Sequence, residues 1–340
     1  MPQIVPLGQT YSYADIVKAS IELAKRYPDI IKLYEIGKSH DNRSILMIDL
    51  GNGNEEIIIT GGVHGRETIN PVVLLRLIED LAILYEKQEN LLVEFKTEGG
   101  LPKPIYTTFE DFQKNETQFN AFNLFLSFTG SDFIVRDILN QYTFHIVPLL
   151  NPDGYEIALQ GFEAIKDPEL RRNAITTGIP HEEWKYNARG VDINRNFPSK
   201  TYVAKRLSDH PASELETKAL IELFHTIPSI GFLDIHSRGK EIYYYRKEMP
   251  EEYNQKQEYL AQRLSNVTGY DLVPKDAEIG VGDSGGNTVH YYSEIFHKPA
   301  ITIETVDDEA TFPLDVSYQY ETFNDLLLVP FEFARGISTL

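Results

Sequence analysis

Ile57-Ile58-Ile59-Thr60-Gly61-Gly62-Val63-His64-Gly65-Arg66-Glu67 passes from an apolar run into a glycine-rich loop bearing an imidazole and a carboxylate. A short apolar run bounded by turn residues reads as a buried strand. Open α/β sheets keep their chemistry where such strands end in loops. His64 and Glu67 are donor types that suit zinc, and donors so close in sequence need a distant third. The chain offers His236, which ends a second apolar run, Ile230-Gly231-Phe232-Leu233-Asp234-Ile235-His236. Three protein donors plus a water make a catalytic rather than a structural zinc site.

Outward from these runs, strands and helices alternate. Ile16, Val17, Ile21, Leu23 and Ala24 predict an amphipathic helix over 13–27. Residues 30–36 and 44–50 read as strands joined by the turn Gly37 to Arg43. Asn70-Pro71 opens a helix, because proline suits its first turn. Residues 132–139 read as a helix and 143–149 as a strand ending in Asn151-Pro152-Asp153-Gly154. Ser213 and Glu216 predict a capping box. Residues 301–304 form another buried strand, ending at Glu304. The helix over 320–333 should kink or split at Pro330. Residues 89–130, broken by Gly99-Gly100-Leu101-Pro102, read as a surface insertion. The expected fold is a single α/β domain over 1–340. It is a three-layer α/β/α arrangement, with a mixed, mostly parallel twisted sheet and helices on both faces. His64, His236 and Glu304 then share the strand-end side of the sheet.

Composition narrows the partners. The net charge of −19 argues against nucleic-acid and anionic membrane surfaces, which want basic patches. The absence of cysteine excludes disulfides, iron–sulfur clusters and Cys-ligated zinc. Residues 1–8 lack the pattern of a signal peptide, and no apolar run reaches the roughly 18–20 residues of a membrane span. These readings predict a cytoplasmic protein. The histidines His40, His145, His181, His210, His225, His290 and His297 look unpaired and read as structural or surface residues.

Two other motifs compete. Gly280-Val281-Gly282-Asp283-Ser284-Gly285 satisfies the dinucleotide-binding pattern. That pattern needs a buried strand just before it, and the preceding stretch is charged and contains Pro274. Gly282-Asp283-Ser284-Gly285-Gly286 also spells a serine-protease nucleophile loop. A triad is recognised by geometry, however, and a helix-rich, cysteine-free chain does not suit that two-barrel fold.

A larger set of motifs outweighs both. It comprises Gly62-Val63-His64-Gly65-Arg66-Glu67, Asn151-Pro152-Asp153-Gly154-Tyr155, Asn187-Ala188-Arg189-Gly190-Val191-Asp192-Ile193-Asn194-Arg195-Asn196-Phe197, Leu233-Asp234-Ile235-His236-Ser237 and Ile301-Thr302-Ile303-Glu304. In this order they resemble the zinc carboxypeptidase family of the carboxypeptidase A type, over about residues 11–335. The resemblance implies one zinc ion per chain, held by His64, Glu67 and His236. It implies that Glu304 is the general base on the attacking water and then the proton donor to the leaving nitrogen. It implies that Asn194 and Arg195 grip the substrate's terminal carboxylate, with Arg66 as a further cation. Asp192 would hold His64 through its other ring nitrogen.

Three positions depart from the family pattern. Lys185, in Trp184-Lys185-Tyr186-Asn187, stands where the family has its transition-state arginine; it could still stabilise an oxyanion as a point charge. Val281 stands in the place of a mobile tyrosine. Thr288 falls near the side-chain pocket position, so a preference for aromatic or basic C-terminal residues is not implied. The Trp-Lys-x-Asn variant and His236-Ser237-Arg238-Gly239 look like the bacterial branch that cleaves γ-D-glutamyl–diamino-acid bonds of cell-wall peptides. Arg238 would meet an extra substrate carboxylate if its strand continued past His236. The expected partner is a peptide with a free carboxylate, cut by a metallocarboxypeptidase. A general α-peptide carboxypeptidase and an amidohydrolase on N-acyl amino acids stand beside that reading. A pseudoenzyme without zinc is disfavoured by Glu304, because binding alone needs no proton shuttle.

Overall fold

Ile57, Ile58 and Ile59 are all buried, and they divide between two cores. Ile57 and Ile59 pack with Leu233, Ile235, Ile301 and Ile303, whereas Ile58 packs with Val147, Phe232 and Ala300. Successive strand side chains point to opposite faces, so both faces of this sheet are covered. Strands of that kind need near-continuous apolar runs, which is why the runs at 57, 230 and 301 read so clearly.

The computed structural model describes residues 2–87, 94–97, 102–105, 135–278 and 285–340. The strands in chain order are β1 (Ile31–Lys38), β2 (Ser44–Leu50), β3 (Glu55–Gly61), β4 (Glu94–Thr97), β5 (Pro102–Ile105), β6 (Tyr142–Val147), β7 (Gly231–Ser237), β8 (Glu241–Tyr243), β9 (Asp271–Leu272) and β10 (Ala300–Thr305). β4 and β5 form a separate two-stranded sheet; the others form one eight-stranded sheet in the order β1-β2-β6-β3-β7-β10-β8-β9. The central strands β6, β3, β7 and β10 are parallel, β1 and β2 pair antiparallel to their neighbours, and β8 is antiparallel to β10 but parallel to β9. Helices Tyr13–Arg26, Ile69–Lys87, Glu251–Thr268, Tyr318–Leu326 and Val329–Ser338 feed the first core. Helices Leu215–Thr226 and Thr288–Phe296 feed the second. The α/β/α arrangement expected from the sequence is therefore the observed one. No helix among the described residues is long and apolar enough to cross a membrane.

Several local readings need comment. The C-terminal helical stretch is split as expected, with Pro330 in the first turn of its second helix. The capping box is not formed. Glu214 is the residue that caps the helix Leu215–Thr226, without a side-chain cap bond, and Ser213 Oγ donates to Glu214 instead. The helix expected over 132–139 is described as Val135–Gln141. Most of the 89–130 insertion, and the Gly280–Ser284 stretch with Val281, lie outside the described residues. β7 ends at Ser237, so the strand does not continue to Arg238. Its end is fixed by a buried cluster: Asn70 Nδ2 donates to Ser237 Oγ (3.0 Å), Ser237 and Thr305 hydroxyls bond at 2.8 Å, and Thr305 Oγ1 donates to Asn70 Oδ1 (2.8 Å).

Candidate active site

The C-terminal ends of β3, β7 and β10 lie side by side, with Gly61 opposite Ile235 and His236 opposite Glu304. The loop after β3 then brings His64 and Glu67 over His236. His64 Nδ1 lies 2.6 Å from Glu67 Oε1, and His236 Nδ1 lies 3.2 Å from Glu67 Oε2. One donor atom of each residue falls within 4.8 Å of the others. His236 Nδ1 and Glu67 Oε2 are buried without a hydrogen-bond partner. Unpaired buried polar atoms are costly and call for a cause. A divalent cation between them supplies one, and two imidazoles with a carboxylate are a zinc donor set.

Each imidazole is gripped from behind. His64 Nε2 lies 3.2 Å from Asp192 Oδ1, and His236 Nε2 lies 3.0 Å from Asp234 Oδ2. These bonds aim both Nδ1 atoms at the centre. Asp234 is itself held by the hydroxyls of Thr60 and Thr288. Burial pushes the Glu67 carboxyl up, but the two imidazoles outweigh it and hold the group down to about 2. Burial works against a charged His236, yet Asp234 and Glu67 raise its pKa well above the usual value. The surroundings thus favour positive charge at the centre. Glu304 is half-buried beside it. Burial pushes its carboxyl up to about 7, against the pull of His236. A group so placed can accept and return a proton near neutral pH.

Close backbone packing holds the loops that carry these groups. A Cβ at Gly65 would stand 2.3 Å from the Gly154 backbone and 2.8 Å from Trp184 O; one at Gly154 would stand 2.2 Å from Tyr186 O. Gly65 N donates to Lys185 O, and Asn151 Nδ2 donates to both Val63 O and Tyr186 O. Segments 62–66, 151–154 and 184–187 are therefore interlocked.

The remaining expected residues fall in three groups. Lys185 Nζ pairs with Asp192 Oδ2 at 2.7 Å. With Asp192 and Arg195 it lines a cavity of about 510 Å³ that also takes in Arg189, Lys205 and Arg206. Asn194 does not share that opening: its amide nitrogen lies 3.5 Å from His236 Nε2, and its Oδ1 accepts from Thr288 N. Only Arg195 of the expected pair lines the cavity. On another side, Arg66 and Arg238 lie over the Phe312 ring, at 4.3 Å and 5.9 Å from its centroid, and Arg238 also pairs with Asp308.

Sequence reasoning missed Asp234, although it stands two residues before His236 on one strand and so shares its face. It also took Thr288 for a pocket position, whereas Thr288 is fully buried behind Asp234. Five histidines read as unpaired have partners: Tyr291, Thr201 and the adjacent Glu182 face His225, His290 and His181, while two pair with carboxylates from afar, His145 Nδ1 at 2.6 Å from Asp49 Oδ1 and His40 Nε2 at 3.0 Å from Glu214 Oε2. The pairing carboxylates come from distant segments, so sequence gave no signal.

Comparisons with known proteins agree with this geometry. Human carboxypeptidase Z is 26% identical over 252 residues, covering 66% of this chain and 30% of that protein. This chain thus spans under a third of that relative. The γ-D-glutamyl-L-diamino acid endopeptidase 1 of Lysinibacillus sphaericus is 22% identical over 325 residues, covering 91% of this chain and 68% of that one. The structure of bovine thrombin-activatable fibrinolysis inhibitor in complex with tick carboxypeptidase inhibitor superposes with a TM-score of 0.68 at 19% identity, over 98% of both chains. The family model described as zinc carboxypeptidase matches residues 16–94 and 114–325. The chain belongs to the zinc carboxypeptidase family.

Proposed function

We propose that this protein is a zinc-dependent carboxypeptidase-type hydrolase that cleaves the amide bond before a residue with a free carboxylate. The observation that carries the reading is the convergence of His64, Glu67 and His236 beside Glu304. His64, Glu67 and His236 would hold the zinc named in the family's description. Zinc held there would polarise the scissile carbonyl and make its bound water acidic. Asp192 and Asp234 keep both imidazoles presenting Nδ1. Glu304 takes the proton of the attacking water and returns it to the leaving nitrogen. Lys185 steadies the developing oxyanion as a point charge. Arg195 binds the terminal carboxylate through its planar fork, and Asn194 positions His236 from the side.

The substrate class we infer is γ-D-glutamyl–diamino-acid peptides of bacterial cell walls. The match to the Lysinibacillus endopeptidase along most of this chain supports it. So does the placement of Arg66 and Arg238 on one aromatic ring, where they could meet a second substrate carboxylate. Similarity to human carboxypeptidase Z supports the alternative, a general α-peptide carboxypeptidase. Mass spectrometry of products from a mixed peptide panel separates the two. L-Ala-γ-D-Glu-meso-diaminopimelate should be cut faster than hippuryl-type α-peptides. The reverse ranking supports the general enzyme, and no cleavage of any peptide by zinc-loaded protein overturns the catalytic reading.

A further inference from the structure

At the edge of the cavity lined by Lys185, Asp192 and Arg195, which Glu214 also lines, a second group of donors converges among the described residues: His40, Glu214 and Glu216, with one donor atom of each within 4.8 Å of the others. His40 Nε2 lies 3.0 Å from Glu214 Oε2 and 3.8 Å from Glu216 Oε2. Donors around a tetrahedral zinc at its usual bond lengths stand about 3.3–3.6 Å apart. The observed separations bracket that value.

The surroundings leave one oxygen of the group without a partner. Both carboxylates are fully buried, and Glu216 Oε1 has no hydrogen-bond partner. Asn187 Nδ2 donates to Glu214 Oε2 (2.7 Å) and Glu216 Oε2 (3.2 Å). Its amide orientation is fixed, because Asn187 Oδ1 accepts from Arg189 N and Val191 N. It is a neutral donor and brings no charge. Ser213 Oγ donates to Glu214 Oε1 at 2.6 Å. Arg189 Nη1 lies 3.2 Å from Glu214 Oε1, with a side chain 47% exposed. Burial pushes the Glu216 carboxyl up to about 7. It works against Glu214 too, yet His40, Ser213 and Asn187 hold that group down to about 2. Two buried acids at a helix start gain from its N-terminal partial charge. That gain explains neither the imidazole nitrogen facing both nor the orphaned oxygen.

We propose that His40, Glu214 and Glu216 bind a second divalent ion of the zinc class, distinct from the ion of the active site. A dication balances two carboxylates and a neutral imidazole, and this donor set suits zinc. The ion joins the turn between β1 and β2 to the start of helix Leu215–Thr226. Through Asn187 it also braces the segment that carries Lys185 and Asp192. The inference does not rest on the catalytic reading.

Metal counting after chelation and equilibrium dialysis against Zn²⁺ tests it. Wild-type protein should hold two ions per chain, His64→Ala one, Glu216→Gln one and the double variant none. One ion in the wild type with none in His64→Ala overturns this proposal and leaves the active-site reading intact. Two ions retained by Glu216→Gln also overturn it. Should Glu216→Gln not fold, as judged by circular dichroism, His40→Gln serves in its place. On the His64→Ala background, saturating Zn²⁺ should raise Tm by several degrees, because only the native state offers the site. The rise should vanish in the double variant, and its absence from His64→Ala itself counts against the site.

Discussion

The two imidazoles of the active site sit in different kinds of structure. His236 is part of β7, fully buried, backed by Asp234 and through it by Thr60 and Thr288. His64 sits on a loop, is partly exposed, and is backed by Asp192, which also holds Lys185. One half of the site is sheet core; the other is a rim of interlocked loops. Of the three proposed ligands, a strand therefore fixes one, His236, while His64 and Glu67 depend on the loop after β3 and on the segments interlocked with it.

Exchanging each imidazole for alanine should separate the halves most strongly. His64→Ala and His236→Ala should both lose tightly bound zinc and all measurable peptidase activity. His236→Ala takes from the buried Asp234 its charge partner and leaves it only the Thr60 and Thr288 hydroxyls, a loss of up to about 3–5 kcal/mol, whereas in His64→Ala Asp192 keeps Lys185, so the Tm of His236→Ala should fall further. Equal melting temperatures would erase the distinction. Next in size, Glu304→Gln should keep its zinc while kcat falls by roughly 10³-fold or more, the upper range for proton transfer with a lost charge. Near-normal turnover would show that another base operates. Asp234→Asn and Asp192→Asn should each weaken zinc binding by about 10–100-fold, as is usual for groups that orient ligands. Here too the strand-side variant should melt lower. Smallest, Arg238→Ala should raise KM about tenfold, or about 1.4 kcal/mol, on the γ-D-glutamyl substrate alone. An equal effect on α-peptides would remove Arg238 from specificity.

The sheet core was legible in sequence because its strands are covered on both faces. Mostly apolar, buried runs at 57–60, 232–236 and 301–304 admit few other readings. The proposed ligands were legible because His236 ends one of these runs and His64 and Glu67 follow another in the loop after β3. What escaped lay in polar contacts between distant segments. Glu216 looked like half of a capping box, but it turns toward His40 and Asn187 instead. Thr288 looked like part of a specificity pocket, yet a neighbouring buried carboxylate captures its hydroxyl. Asn194 likewise faces His236 rather than the cavity. In each case the partner is set by tertiary packing, and no local pattern encodes it.

The missing side chains at positions 65 and 154 have a practical consequence for redesign. With another backbone already within 2.3 Å of where a methyl group would go, three loops must shift together or not at all. Libraries aimed at new selectivity should spare both glycines and diversify the cationic wall around Lys205 and Arg206. Changes there can alter what is accepted without disturbing where the metal sits.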